Sequence, residues 1–225
     1  MQGIFITGTS TGVGKTHTGV LLARALVDRK ITVIPRKPVE SGCARIDDKL
    51  IPADAEALVQ ATAYQGGLAR VCPYRFQPPI SPARAARLAG QSLTTKELVD
   101  ACAPDSPGGF TLVEGAGGFY SPLAEDGLNA DLAVALQLPV LLVAENSLGV
   151  LNQVLLNVEA IKARGLRLVG VVLNTLEDNQ DSHMDNAADL KERLNCEVYI
   201  QEYIADSISS RLVNAITAQP VGAVA

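Results

Sequence analysis

Short apolar runs alternate along the chain with longer stretches whose apolar residues recur every three or four positions. The first run is GIFIT, residues 3–7, followed by residues 15–29 with Val20, Leu21, Ala23, Leu26 and Val27 at helical spacing. ITVIP at 31–35 restores a strand and completes one strand–helix–strand unit. A helix is predicted from about Ala53 in PADAEALVQATA. Residues 65–109, rich in Pro and Gly, are the least regular and hold two short helices near 82–89 and 94–102. FTLV at 110–113 reads as a buried strand that ends at Glu114, before a glycine cluster. Helix NADLAVALQ (129–137), strand PVLLVAE (139–145), helix LNQVLLNVEAIKARG (151–165) and strand LRLVGVVLN (166–174) come next. A polar amphipathic helix at 182–194, a strand EVYI at 197–200 and a final helix within 207–217 complete the pattern.

This alternation predicts an α/β fold: a doubly wound, mostly parallel sheet with helices on both faces, formed by residues 1–225 as one domain. At 225 residues the chain can bury roughly 70% of its unfolded surface without a disulfide or structural metal. A hydrophobic content of 48% with 4% aromatics suits a Val, Leu, Ile and Ala core. A formal charge of −5 argues against a nucleic-acid surface. Cys43, Cys72, Cys102 and Cys196 are scattered, without a CxxC pair, and only His17 and His183 could join them in a zinc site. No export signal opens the chain and no apolar stretch is long enough to span a bilayer, so a soluble cytoplasmic protein without membrane partners is expected.

In such sheets ligands gather at the carboxyl ends of the strands. GTSTGVGKT, residues 8–16, follows the first strand there. Five residues separate Gly8 from Gly14, where the common phosphate-loop pattern GxxxxGK[ST] has four. Backbone N–H groups of Gly12, Val13, Gly14, Lys15 and Thr16 can wrap a polyphosphate at the positive end of the following helix. Lys15 would reach the β- and γ-phosphates, and the Thr16 hydroxyl would ligate Mg²⁺.

The lengthened spacing resembles that of division-site and plasmid-partitioning ATPases, whose signature lysine is here replaced by Ser10. Phosphoryl transfer spreads negative charge over three oxygens, so another cation must stand in. Lys37 of KPVESG follows the second strand on the same sheet edge and reads as a partly exposed loop lysine. Pro38 stiffens its turn, and Ser41 with Gly42 puts a hydroxyl beside an approachable backbone. Glu114 takes the place of a Walker-B acid, and the GAGG that follows lets a ligand approach the backbone. Asp54 opens a helix, where it can serve as a cap or as a metal ligand. Mg²⁺ generally takes one or two carboxylates plus phosphates, which leaves room for both acids.

Taken together, GTSTGVGKT, KPVESG, ADAEAL, LVEGAGGFYSPL, SLGVLNQ and LNTL resemble the dethiobiotin synthetase family, in family order over residues 4–175. The resemblance implies ATP-dependent ring closure of 7,8-diaminononanoate with CO₂ or bicarbonate, through a carbamate and its mixed anhydride with phosphate. Lys15, Lys37 and Thr11 would then be catalytic, and ATP, or another nucleoside triphosphate, would be bound with Mg²⁺. The nucleotide would meet residues 12–16, Thr18, Asp54, Glu114, Gly115, Gly117 and Asn174, the last at the base; Thr16, Asp54 and Glu114 would hold the metal. The diamine would meet Thr11, Lys37, Ser41, Gly117 and Gly118. Its distant carboxylate would sit on the N–H groups of Val150, Leu151 and Asn152, beside Leu148 and Gly149, lent by the second chain of a homodimer. By residues alone a simple Ser147 cap fits that stretch equally well.

The sequence departs from the family pattern at Ser10, at Ala83 after Ser-Pro, and in EVYIQEYIADS, which lacks the usual Gly and Pro of the base-enclosing loop. A partitioning-type ATPase is disfavoured by Ser10 and KPVESG. An amide-forming cobyrinate-type synthase would add a glutamine-hydrolysing domain for which 225 residues leave no space.

Overall fold

A computed structural model of the chain describes residues 1–105, 107–176 and 183–218. Its centre is a sheet of six parallel strands: β1 (Gly3–Gly8), β2 (Val33–Arg36), β7 (Phe110–Gly118), β8 (Val140–Glu145), β9 (Leu168–Asn174) and β10 (Glu197–Gln201). The spatial order is β10-β9-β8-β1-β7-β2, so the chain reverses its direction of travel across the sheet beside β1. Each of these strands is matched by a predicted one. β7 runs four residues beyond the expected end at Glu114, because Gly118 still pairs with Gly8 of β1 across a bulge.

Side chains alternate across the sheet, and both faces are apolar. Phe5, Val113, Leu142 and Leu173 point into one core, covered by α4 (Pro82–Leu88), α5 (Thr95–Cys102), α6 (Asn129–Leu136), α7 (Val150–Ala163) and α8 (Asn186–Arg193). Ile4, Ile6, Leu112, Leu141 and Val172 point into the other, under α1 (Lys15–Asp28), α2 (Ala53–Thr62) and α9 (Ser210–Thr217). Ser182, the first residue of the amphipathic helix expected at 182–194, lies outside the described residues, and α8 itself begins at Asn186. Among the described residues no helix is long and apolar enough to cross a membrane.

Four short strands and one short helix, α3 (Leu68–Val71), were not legible in the pattern. β3 (Val39–Ser41) pairs in parallel with β6 (Tyr74–Phe76), which ties the segment after Lys37 to the irregular stretch. β4 (Ala44–Ile46) and β5 (Lys49–Ile51) form an exposed hairpin whose turn puts Asp47 and Asp48 at φ 45° and 60°. Strands of three residues carry too little periodicity to stand out from a loop.

The irregular stretch is pinned by Arg36, the largest fully buried side chain. Its guanidinium donates to Pro35 O, Tyr64 Oη and Ala103 O, and pairs with Asp105 at 2.8 Å. Arg70 joins the same carboxylate at 2.6 Å. Burial would raise the Asp105 pKa, but the Tyr64 hydroxyl and the two guanidiniums bring it down to about 2. Asp105→Ala should destabilise the fold by about 2–3 kcal/mol, below the range for a fully buried pair because Asp105 is partly exposed. A folded-state pKa below the unfolded value adds stability above pH ~4 that is lost as pH falls towards 2. The gap in urea midpoint between wild type and variant should therefore be full at pH 6 and close over that window.

Candidate active site

Beyond β1 the chain turns through Gly12 and Gly14 at φ 81° and 87° before α1 begins at Lys15. A Cβ on Gly12 would meet nothing within 4 Å, whereas one on Gly14 would lie 1.7 Å from Asn174 Nδ2. Asn174, buried at the end of β9, donates to Val13 O at 3.2 Å and clamps the loop from behind. Lys15 is buried and donates to Ser10 O at 2.9 Å. Burial, and then the charge of Lys37, pull its pKa down to about 8. Thr16 donates its hydroxyl to Glu114 Oε1 at 2.8 Å.

Lys37 is not a partly exposed loop lysine. It is 2% exposed, and its backbone N–H donates to Val71 O at 2.9 Å. Its Nζ donates to Glu114 Oε1 at 2.5 Å, Asp54 Oδ2 at 2.9 Å and Gly115 O at 3.1 Å. Burial opposes its charge, but the two carboxylates outweigh that effect and hold its pKa well above the ordinary value. Burial likewise opposes the charge of Asp54, and Lys37 overcomes it, so the Asp54 pKa falls. Asp54 therefore does not cap its helix with its side chain but faces the lysine.

Glu114 is fully buried on β7, and its Oε2 has no hydrogen-bond partner among the described residues. An orphaned carboxylate oxygen beside a second carboxylate and a hydroxyl suits a hard divalent cation. No group of three His, Cys, Asp or Glu among the described residues is placed to hold a metal, so Thr16 and ligand oxygens would have to complete the shell.

Thr11, Gly12, Gly14, Lys15, Thr16, Lys37, Ser41, Asp54 and Gly117 line one cleft of about 530 Å³. Pro79, Ile80, Ser81 and Pro82 also line it, with Ser121 and Pro122 at the end of the LVEGAGGFYSPL motif, although the motifs assign none of them a role. Glu40 also lines it and was missed, since a glutamate between a valine and a serine carries no signal of its own. Asn129 was missed as well. From the start of α6 its amide donates to Ala116 O and Gly118 O and accepts from Ala116 N, which holds the glycine-rich end of β7 open.

Several expectations need correction. Thr18 is fully buried and its hydroxyl is sealed from the cleft, because it lies on the inward face of α1. Gly118 stands behind the cleft wall with its N–H spent on Ser121 Oγ at 2.9 Å. Val150 is buried and donates its N–H to Ser147 O at 3.2 Å, so that group is not free for an anion. The helix there is capped by Gly149 at φ 90°, not by the Ser147 side chain. None of residues 148–152 lines this chain's own cleft.

Parallel sheet, glycine loop and paired lysines define the class: a phosphate-loop nucleotide-binding enzyme. A family model described as an AAA domain matches residues 2–204. The chain is 38% identical over 207 residues to the ATP-dependent dethiobiotin synthetase of Ruthia magnifica, covering 91% of this chain and 94% of that one. It is 41% identical over 192 residues to the enzyme of the same name from Anaeromyxobacter dehalogenans strain 2CP-1, covering 84% of each. The chain belongs to the ATP-dependent dethiobiotin synthetase family. Among solved structures, the cell division protein FtsY of Thermotoga maritima aligns with a TM-score of 0.51 at 16% identity, over 97% of this chain and 69% of that one, a likeness of fold alone.

The two loop glycines should respond differently to substitution. Gly12→Ala meets only the left-handed backbone cost, about 1–2 kcal/mol. Gly14→Ala adds the clash with Asn174 and should lower both melting temperature and ATP affinity much further. Pairing Gly14→Ala with Asn174→Ala should recover part of the melting temperature, since it removes the clash but not the strain.

Proposed function

We propose that the chain, acting as one nucleotide-binding unit in the cytoplasm, closes the ureido ring of dethiobiotin from 7,8-diaminononanoate and CO₂, driven by ATP. CO₂ adds to one amine, which loses a proton and becomes a carbamate. The carbamate oxygen attacks the γ-phosphorus as the bond to ADP breaks. The second amine then attacks the carbonyl carbon of the mixed anhydride, loses its proton and expels phosphate.

The observation that carries this reading is the meeting of Lys15 and Lys37 with Asp54 in one cleft, with Glu114 fully buried against Lys37. Carbamate and γ-phosphate are both anions, so their approach needs cations fixed in place beforehand. Lys15, at the loop, faces the phosphate side. Lys37, held by Glu114 and Asp54, stands between the phosphate and the carbamate. Mg²⁺ on Thr16, Asp54 and Glu114 would, when bound, neutralise the polyphosphate. Thr11 and Ser41 offer hydroxyls to the amine end and Gly117 its backbone, while Pro79, Ile80, Pro82 and Pro122 give the methylene chain an apolar wall. Asn174, expected at the base, would instead support the nucleotide loop from behind through its bond to Val13 O. The free cysteines accord with a reducing compartment.

The diamine's carboxylate lies several methylenes from the reacting end. In this reading it is met by the turn Leu148-Gly149 and the N–H groups of Leu151 and Asn152 from a second copy of the chain, which completes each site of a homodimer. That these residues stay out of their own cleft supports the arrangement, as does Leu148, which is 94% exposed.

Phosphate release should require diaminononanoate with bicarbonate, and neither glutamine nor ATP alone should replace them. Lys37→Ala should slow that release by about 10²–10³, the loss expected for one transition-state donor. It should also lower the melting temperature, because the buried Glu114 and the half-exposed Asp54 lose their counter-ion; a variant above half of wild-type turnover would contradict the role. For the dimer, one chain carrying Lys37→Ala can be mixed with one carrying Leu151→Pro. Sites completed in trans leave one intact site per mixed dimer, so subunit exchange should restore about a quarter of wild-type activity. No recovery, with mixed dimers confirmed by native mass spectrometry, would mean that each chain meets the carboxylate with its own helix.

A further inference from the structure

Helix α2 begins without a cap of its own. Its N-cap residue is Pro52, which has no side-chain acceptor, and the acids of its first turn, Asp54 and Glu56, make no capping bond. The first N–H groups of a helix must nevertheless find partners when they lie inside a protein. They find them in Glu40, on another segment. Its Oε1 accepts from Asp54 N and its Oε2 from Ala55 N, each at 3.1 Å. Glu40 is only 6% exposed, and its own backbone is fixed by the pairing of β3 with β6, where it stands opposite Arg75. One segment holds Asp54 by both its side chain and its backbone. The KPVES segment carries Lys37, which bonds Asp54 Oδ2, and three residues on it carries Glu40, which bonds Asp54 N.

We infer that Glu40 is a positioning residue that sets the carboxylate of Asp54 in the metal-binding set with Glu114 and Thr16. The inference rests on the proposed metal role of Asp54. A helix start held from two directions gives its second residue one orientation. With Glu40 removed, the first turn of α2 can fray, and Asp54 keeps only its side-chain contacts with Lys37 and Thr16. A merely structural cap would stabilise α2 without changing how the site takes a cation. Partners that orient a metal ligand typically change metal affinity by about 10–100-fold when lost.

The test measures Mn²⁺ binding to the ADP complex by electron paramagnetic resonance of the free ion, which reads affinity without turnover. Glu40→Ala should weaken Mn²⁺ binding by about tenfold or more. Glu40→Gln, which keeps one acceptor oxygen and the shape, should weaken it less and remain folded by circular dichroism. Thr94→Ala serves as the control for a lost cap. Thr94 caps α5, away from the cleft, in a reciprocal box with Glu97. It should lower the melting temperature and leave Mn²⁺ affinity within twofold of wild type. Asp54→Asn tests the underlying reading separately. If Asp54→Asn weakens Mn²⁺ binding while both Glu40 variants leave it unchanged, the positioning role is overturned and the metal role of Asp54 stands. If Asp54→Asn itself has no effect, the metal reading falls and the inference with it. If Thr94→Ala weakens binding as much as Glu40→Ala, the effect is general instability and the inference is overturned.

Discussion

The ammonium of Lys37 holds three separate segments on one point. It bonds Glu114 and Gly115 on β7 and Asp54 on α2, while its own backbone leaves β2. A carboxylate as fully buried as Glu114 and an ammonium at 2% exposure are each costly to bury without a partner. Each makes the other tolerable, and the hydrogen bonds from Thr16 and to Gly115 O complete the network. The phosphate loop is drawn in by the same contact, since Thr16 reaches Glu114 at the oxygen Lys37 also uses. Loss of this one charge would leave Glu114 and Asp54 without their shared counter-ion.

Around that centre, buried amides supply the rigidity that buried charges cannot. Asn174 fastens Val13 from β9, and Asn129 fastens Ala116 and Gly118 from the start of α6. Both glycine-rich segments would otherwise be among the most flexible parts of the chain. An amide carries donors and an acceptor on one planar group, so it can hold backbone without adding charge to a site already crowded with it. A cleft whose groups are fixed in advance need not reorganise as charge develops, which is where such sites gain rate.

Charge and apolar surface are divided between the two walls. The phosphate loop, the segment after β2 and the start of α2 supply both lysines and Asp54, with Glu114 buried against Lys37, while residues 79–82 and 121–122 supply proline, isoleucine and two serines. A substrate with a charged reacting end and a methylene chain matches that division. Residues 65–109 looked the least regular by periodicity, yet they provide four of those six residues and are held to the sheet edge by Arg36.

The sequence by itself determined the order of the main strands and helices, the phosphate loop and the acid at Glu114. Those features are local: a period of two or 3.6, or a fixed spacing of glycine, lysine and threonine, constrains the backbone whatever lies around it. Only the tertiary structure decided that Lys37 is buried, that Asp54 faces a lysine instead of capping, and that Thr18 turns inward. The same holds for the pairing of β3 with β6, the amide clamps of Asn129 and Asn174, and the capping of α2 by Glu40. Each joins residues far apart in the chain through groups whose local sequence looks ordinary. A glutamate, an asparagine or a three-residue strand acquires its meaning from the partner it meets, and that partner is chosen by how the layers pack.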